Sequence, residues 1–220
     1  MNRSTKLAGV ASLVQGLLFL LVPINLLVLQ SAIGFTSDND WIDPIKIRAN
    51  FLPLMVTPLI QLGLCAVVVL LVVALYDRLG ATSPYLMRLS VIAAIVASGL
   101  LLLSASLEFY YRALPTLSTS SPTALAQYQG LILNIHKGVA EAVRLAGFFA
   151  FGWSTLLWSW AGIRSKMLSR SLCLTALLSA VLAILLPLIP LYVIITIVWS
   201  FWLGAVLLGQ KQPSVDHRPA

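Results

Sequence analysis

Apolar residues run almost unbroken from Leu7 to Ile33, and the interruptions carry no charge: Ser12, Gln15, Asn25, Gln30 and Ser31. A helix needs about 20 such residues to cross a hydrocarbon core of about 30 Å. The pattern predicts a first span over 7–33, kinked at Pro23, where the ring removes a backbone donor. Further spans follow at 51–76, ended by Asp77-Arg78, at 86–107, and at 143–163, ended by Arg164. Residues 172–208 are apolar for 37 positions. As one helix they would measure about 55 Å, nearly twice one crossing. Pro187 and Pro190 fall near the middle, so the run divides into spans 172–187 and 190–208 around a tight turn.

Between the third and fourth spans the period changes. Ser121-Pro122 is a helix start, a capping residue followed by proline at the first position. From there Gln127, Gly130, Asn134, Lys137, Glu141 and Arg144 recur at spacings of 3, 4, 3, 4 and 3. That spacing puts them on one helical face, with Leu131, Ile132, Ile135, Val139 and Val143 elsewhere. An amphipathic helix over 122–142 is expected, its stripe running on into Phe148, Phe151 and Thr155. One rod from 122 to 163 would be about 63 Å long, so a break near Gly130 or Gly138 is expected.

Composition agrees with the pattern. Of 220 residues 60% are apolar and 10% charged, against roughly a quarter charged in soluble domains. The net charge of +7 comes from residues between the apolar runs, with no basic stripe or nucleic-acid motif, so no nucleic-acid partner is expected. Lys and Arg fall unevenly across the connections. With the N-terminus inside, nine are inside (Arg3, Lys6, Arg78, Arg88, Arg164, Lys166, Arg170, Lys211, Arg218) and five outside (Lys46, Arg48, Arg112, Lys137, Arg144). Acids run the other way, with Asp77 and Asp216 inside and Asp38, Asp40, Asp43, Glu108 and Glu141 outside. Cytoplasmic loops carry the excess of Lys and Arg. The expected fold is therefore all-α: a polytopic integral membrane helical bundle of six transmembrane helices, both termini cytoplasmic. Residues 1–209 form one domain, and 210–220, with Pro213 and Pro219, a cytoplasmic tail. The first apolar run is longer than the 7–15 residues of a signal-peptide core, which favours a retained anchor in the cell membrane, the bacterial inner membrane.

Short motifs resemble a known family. Lys6-Leu7-Ala8-Gly9 enters the first span and Ala74-Leu75-Tyr76 closes the second. Ser121-Pro122 opens a long helix, Gly152-Trp153 and Leu156-Leu157 lie in the fourth span, and Leu168, Arg170 and Leu172 enter the fifth. In these features the chain resembles the six-helix bacterial membrane family called domain of unknown function 4386. It departs from the family pattern at Ser169, often proline there, and at Cys173, often glycine. The resemblance implies the six-helix architecture and carries no assigned activity.

Chemistry-bearing residues are few. The polar stripe of Asn134, Lys137, Glu141 and Arg144 is the candidate site. Lys137–Glu141 and Glu141–Arg144 are i,i+4 and i,i+3 neighbours that can pair. The stripe is either a solvated outer face, the lining of a cavity in the bundle, or a contact with a partner protein. Glu108 and Arg112 flank Tyr110-Tyr111. They read as a surface ion pair in an interfacial tyrosine belt; alternatively Glu108 meets Arg144 or Lys137 across the outer ends of the third and fourth spans, with Arg112 a further candidate partner of the site. Gln15, Asn25 and Gln61 read as interhelical hydrogen-bonding groups or as the lining of a solute path, with Gln15 and Gln61 also candidate partners of the stripe. Ala93-Ala97 and Ala94-Ser98 are small-residue pairs suited to close helix packing.

Several functions are disfavoured. Asp38-Asn39-Asp40-Trp41-Ile42-Asp43 fails the calcium-loop pattern, since Asp43 stands where glycine is needed. His136 has no second ligand at i±3 or i±4, and Cys65 and Cys173 belong to no Cys/His cluster, so no metal, cofactor or disulfide is expected. No Ser/His/Asp set, phosphate loop or paired carboxylates can be assembled, which argues against an enzyme. Two functional classes remain. One binds or moves a small or amphipathic solute or lipid in a cavity beside the fourth span. The other is an accessory or assembly subunit whose stripe meets a membrane-protein partner.

Overall fold

A computed structural model describes residues 3–35, 43–117, 127, 130–131, 133–185 and 189–209. The acidic segment before Asp43, most of 118–132, Pro187 and the tail lie outside them. Among the described residues every regular element is helical, without a strand. The elements are α1 (Arg3–Ile24), α2 (Pro44–Ala49), α3 (Val56–Leu79), α4 (Pro84–Leu117), α5 (Glu141–Ser165), α6 (Arg170–Ile184) and α7 (Ile189–Gly209).

Among the described residues four helical stretches are long and apolar enough to cross a membrane: Arg3–Ala32, Phe51–Leu79, Pro84–Ala113 and Pro190–Gly209. Two more helices complete the bundle. α6 is apolar but only 15 residues long. α5 has 25 residues, but Trp153, Trp158, Trp160, Ser154, Thr155 and Ser159 dilute its hydropathy. The division of 172–208 into two helices is as expected, α6 ending at Ile184 and α7 starting at Ile189.

Local chemistry sets the helix ends. The Asp43 carboxylate accepts from the Ile45 amide at 2.9 Å and caps α2 at its Pro44 start. Lys166 takes a left-handed φ of 56° and closes α5. The Ser169 hydroxyl accepts from the Leu172 amide at 3.4 Å and opens α6. One boundary differs from expectation. The third helix continues past Leu107 to Leu117, because the charges that seemed to end it, Glu108 and Arg112, find partners inside the bundle.

Six helices form a ring in chain order: α1 packs on α3, α3 on α4, α4 on α5, α5 on α6, α6 on α7, and α7 back on α1. Buried hydroxyls stitch the seams. Ser90 and Ser154 exchange bonds between α4 and α5, each hydroxyl donating to the other's carbonyl at 2.9 Å. Ser98 donates to the Cys65 carbonyl at 2.8 Å, and Ser12 to the Ser200 carbonyl at 2.7 Å. The α1–α7 seam is tight at Gly204, where an added Cβ would lie 2.6 Å from the Leu13 side chain and 3.0 Å from the Gly9 carbonyl. Aromatic rings fill the centre. Phe19 stacks on Phe151 at 6.3 Å and meets Tyr192 edge-on at 5.7 Å, and Trp158 packs on Trp199 at 5.4 Å. Cys65 and Cys173 are both free.

Two π-helical segments interrupt the regular helices at one end of the ring. Asn25–Leu29 follows α1 two residues after Pro23, and Leu133–Ala140 leads into α5. Pro23 offers no amide hydrogen to the ladder, which makes a wider turn just beyond it intelligible. The second segment contains Gly138, one of the two positions where a break was expected.

Candidate functional site

Four charged residues of the ring, Glu108, Arg112, Glu141 and Arg144, gather at the end that carries both π segments. Glu108, on the inner face of α4, is 1% exposed, and so is Arg112 one turn on. Arg112 Nη2 lies 2.8 Å from Glu108 Oε2, and Arg112 Nε donates to the Tyr111 hydroxyl at 3.0 Å. Across the α3–α4 seam, Gln61 Nε2 donates to Glu108 Oε1 at 3.0 Å. From α5, Arg144 Nη1 approaches the same Oε1 at 3.5 Å, and Arg144 Nη2 pairs with Glu141 Oε2. One carboxylate thus joins three helices. Two positive and two negative side chains form a chain of pairs whose charge sums to zero, the condition under which buried charge is tolerated.

Beside this network lies a cavity of about 160 Å³. Its polar wall is Glu141, Arg144, Gln61, Asn25 and Thr57, and the rest is apolar, including Phe19, Ile60, Leu64, Phe148 and Val193. Arg144 and Glu141 are 28% and 37% exposed at their side chains, so they form a rim. Phe19 and Phe148, each in ring contact with Tyr192, form the floor. Asn25 Nδ2 donates to Thr57 Oγ1 at 2.7 Å, and Gln30 Nε2 reaches the same oxygen at 3.3 Å. Two carbonyl oxygens of the lining residues, Gln61 Oε1 and Asn25 Oδ1, are buried with no hydrogen-bond partner. Each leaves a desolvated acceptor of a kind that seldom goes unsatisfied.

The expected stripe divides at the π segment. Glu141, Arg144 and Phe148 line the cavity, and Phe151 and Thr155 are buried below it. Gln127, Gly130 and Asn134 are exposed. The wider turns shift the register, so Asn134 does not share a face with Glu141 and Arg144. The side chains of Lys137 and His136 lie outside the described residues.

Three further expectations change. Glu108 and Arg112 are not a surface pair: of the flanking tyrosines Tyr110 is exposed and Tyr111 buried. Carboxylates do converge, Glu108 and Glu141 lying on either side of the Arg144 guanidinium, although both are held in ion pairs. Gln15 does not join the site. Its Nε2 reaches the Ser200 hydroxyl at 3.3 Å, and it sits about 15 Å along the axis from Asn25.

Thr57 and Phe19 line the cavity and Tyr192 packs against Phe19 and Phe148; the pattern of polar positions singled out none of Thr57, Phe19 and Tyr192. Thr57, the second residue of α3 and four before Gln61, was the available signal. Among the described residues no group of three or more His, Cys, Asp or Glu could hold a metal ion. Compared with protein-family models, curated proteins and solved structures, the chain matches none. The likeness to the six-helix family rests on its short motifs alone.

Proposed function

We propose that the chain is a six-span integral membrane protein, termini in the cytoplasm, that binds a small or amphipathic solute in the cavity beside α5. Charge placement supports the orientation: the excess of Lys and Arg lies at the end opposite the cavity, which then opens towards the outside. The observation that carries the binding reading is Arg144. It lines a largely apolar cavity while tied to Glu108 and Glu141. Pockets that bind small molecules have this make-up, apolar walls with a few fixed polar groups. The two π segments at the same end add support, since such irregularities often mark functional sites. The accessory-subunit reading rests on the exposed Gln127 and Asn134.

Native purification followed by mass spectrometry of what copurifies tests the proposal. A small molecule or lipid should accompany the wild-type chain and be lost from Val193→Phe, which fills the cavity. A stoichiometric protein partner retained by both would overturn it in favour of the accessory reading.

A further inference from the structure

The polar groups of the cavity restrict the class of molecule that fits. Gln61 is the most informative of them. Its amide nitrogen donates to Glu108 Oε1 at 3.0 Å, and a carboxylate held by Arg112 and Arg144 accepts but cannot donate. The amide orientation is thereby fixed, and Gln61 Oε1 must be the free acceptor. Gln61 is 5% exposed, and this oxygen has no partner. Asn25, 4% exposed, also has an unpartnered amide end beside the cavity. Its partner Thr57 can donate or accept, so Asn25 can offer either a carbonyl or an NH2. A fitting occupant must therefore supply a donor to Gln61, and a group that both donates and accepts satisfies Asn25 in either orientation.

Charge and size narrow the class further. Glu108, Arg112, Glu141 and Arg144 neutralise one another. An added ammonium would face the Arg144 guanidinium on the cavity wall, and an added carboxylate would face Glu141. The volume of about 160 Å³ is close to the roughly 150 Å³ of an apolar protein cavity that takes benzene. Most of the lining is apolar and the floor aromatic. Resting on the binding function proposed above, we infer that the occupant is an uncharged amphiphile whose hydroxyl donates to Gln61 Oε1 and whose buried apolar part is about the size of a six-membered ring. That hydroxyl can arrive on a free alcohol or on a lipid with a glycerol head, since the recognised chemistry is the same.

Four probes of one shape separate the alternatives: benzyl alcohol, toluene, benzylamine and benzoate. Their binding to the full chain is measured by ligand-observed NMR in an amine-oxide detergent free of hydroxyls. Val193→Phe serves as the control for partition into micelles. Wild type should bind benzyl alcohol about tenfold more tightly than toluene, since a site with a buried acceptor rejects the analogue that leaves it unpaired. Benzylamine and benzoate should bind more weakly than the alcohol. In Gln61→Leu the preference for alcohol over toluene should fall to about one. Displacement of benzyl alcohol by a monoacylglycerol would point to a lipid source, and displacement by free alcohols alone to a solute.

Equal binding of toluene and benzyl alcohol to wild type would overturn the hydroxyl assignment and leave the cavity as a binding site. Tighter binding of the amine or the acid, or a preference unchanged in Gln61→Leu, would do the same. If no probe binds in a way that Val193→Phe abolishes, the binding function fails as well. The comparison within wild type decides the question even if Gln61→Leu does not fold.

Discussion

Glu108 and Arg112 form an ion pair at 2.8 Å within one helix, each side chain only 2% exposed, and the pair is locked from the neighbouring helix by Gln61. Losing Glu108 would take from the buried Arg112 guanidinium the carboxylate that its Nη2 pairs with at 2.8 Å. Glu108→Ala should therefore destabilise by about 3–5 kcal/mol. The double variant Glu108→Leu/Arg112→Met should recover most of that loss, because a well-packed apolar pair avoids the desolvation cost. Chemical unfolding in detergent measures both, and a double variant no more stable than Glu108→Ala would sink the pairing argument.

Arg144 occupies a different position in the same network. Its side chain is 28% exposed and its partner Glu141 37%, so water already screens that pair. Removing Arg144 leaves Glu108 with Arg112 and Gln61. Arg144→Ala should cost only about 1–2 kcal/mol and Glu141→Gln about 0–1 kcal/mol. A loss as large as that of Glu108→Ala would mean that Arg144, and not Arg112, is the essential partner.

These two cases show how far sequence pattern reaches. The apolar runs mark the helices well because burial and length are local properties of a stretch. The i,i+3 and i,i+4 spacings of Glu141–Arg144 and Glu108–Arg112 identify both pairs for the same reason. What joins the pairs is not local: Gln61 meets Glu108, and Arg144 meets Glu108, only because α3, α4 and α5 are consecutive members of a ring. A surface reading of Glu108 and Arg112 fails because an apolar run can end while its helix continues. The stripe is misread at Asn134 because a π-helical segment shifts the register without any composition signal beyond Gly138. The cavity itself depends on residues from α1, α3, α5 and α7 that no spacing links.

The α1–α7 seam gives an independent test of the ring. At Gly204 any side chain would meet Leu13 and the Gly9 carbonyl, and a backbone atom cannot rotate away. Gly204→Val should destabilise by about 1–3 kcal/mol through overpacking, while Gly99→Ala, where an added Cβ meets nothing within 4 Å, should be neutral or slightly stabilising. Equal behaviour of the two in thermal unfolding would mean that the first and last helices do not pack as described.

The proposed orientation rests on charge and can be tested without a ligand. Reporter fusions at Ala220 and within 38–43 should report opposite sides of the membrane, with Ala220 cytoplasmic. A reporter at Ala220 on the outer side would require an odd number of crossings between an inside N-terminus and the tail. That would mean that α6 and α7 do not both cross the membrane, and the ring would lack one of its six spans.

The last test concerns Pro23 and the geometry it imposes on the cavity wall. The ring removes one amide donor from α1, and two residues later the helix widens over Asn25–Leu29. Asn25 is the first residue of that segment and reaches Thr57 at 2.7 Å, so the wide turn and the polar wall are built together. Restoring the donor with Pro23→Ala removes a residue that costs roughly 3 kcal/mol relative to alanine in a helix interior. Part of that should appear as a raised midpoint of thermal unfolding. The regular ladder should also turn Asn25 away from Thr57, so ligand binding should weaken as stability rises. A more stable variant that binds as wild type does would show that the π segment does not position Asn25. A less stable one would show that Pro23 is needed by the packing around it and not merely tolerated.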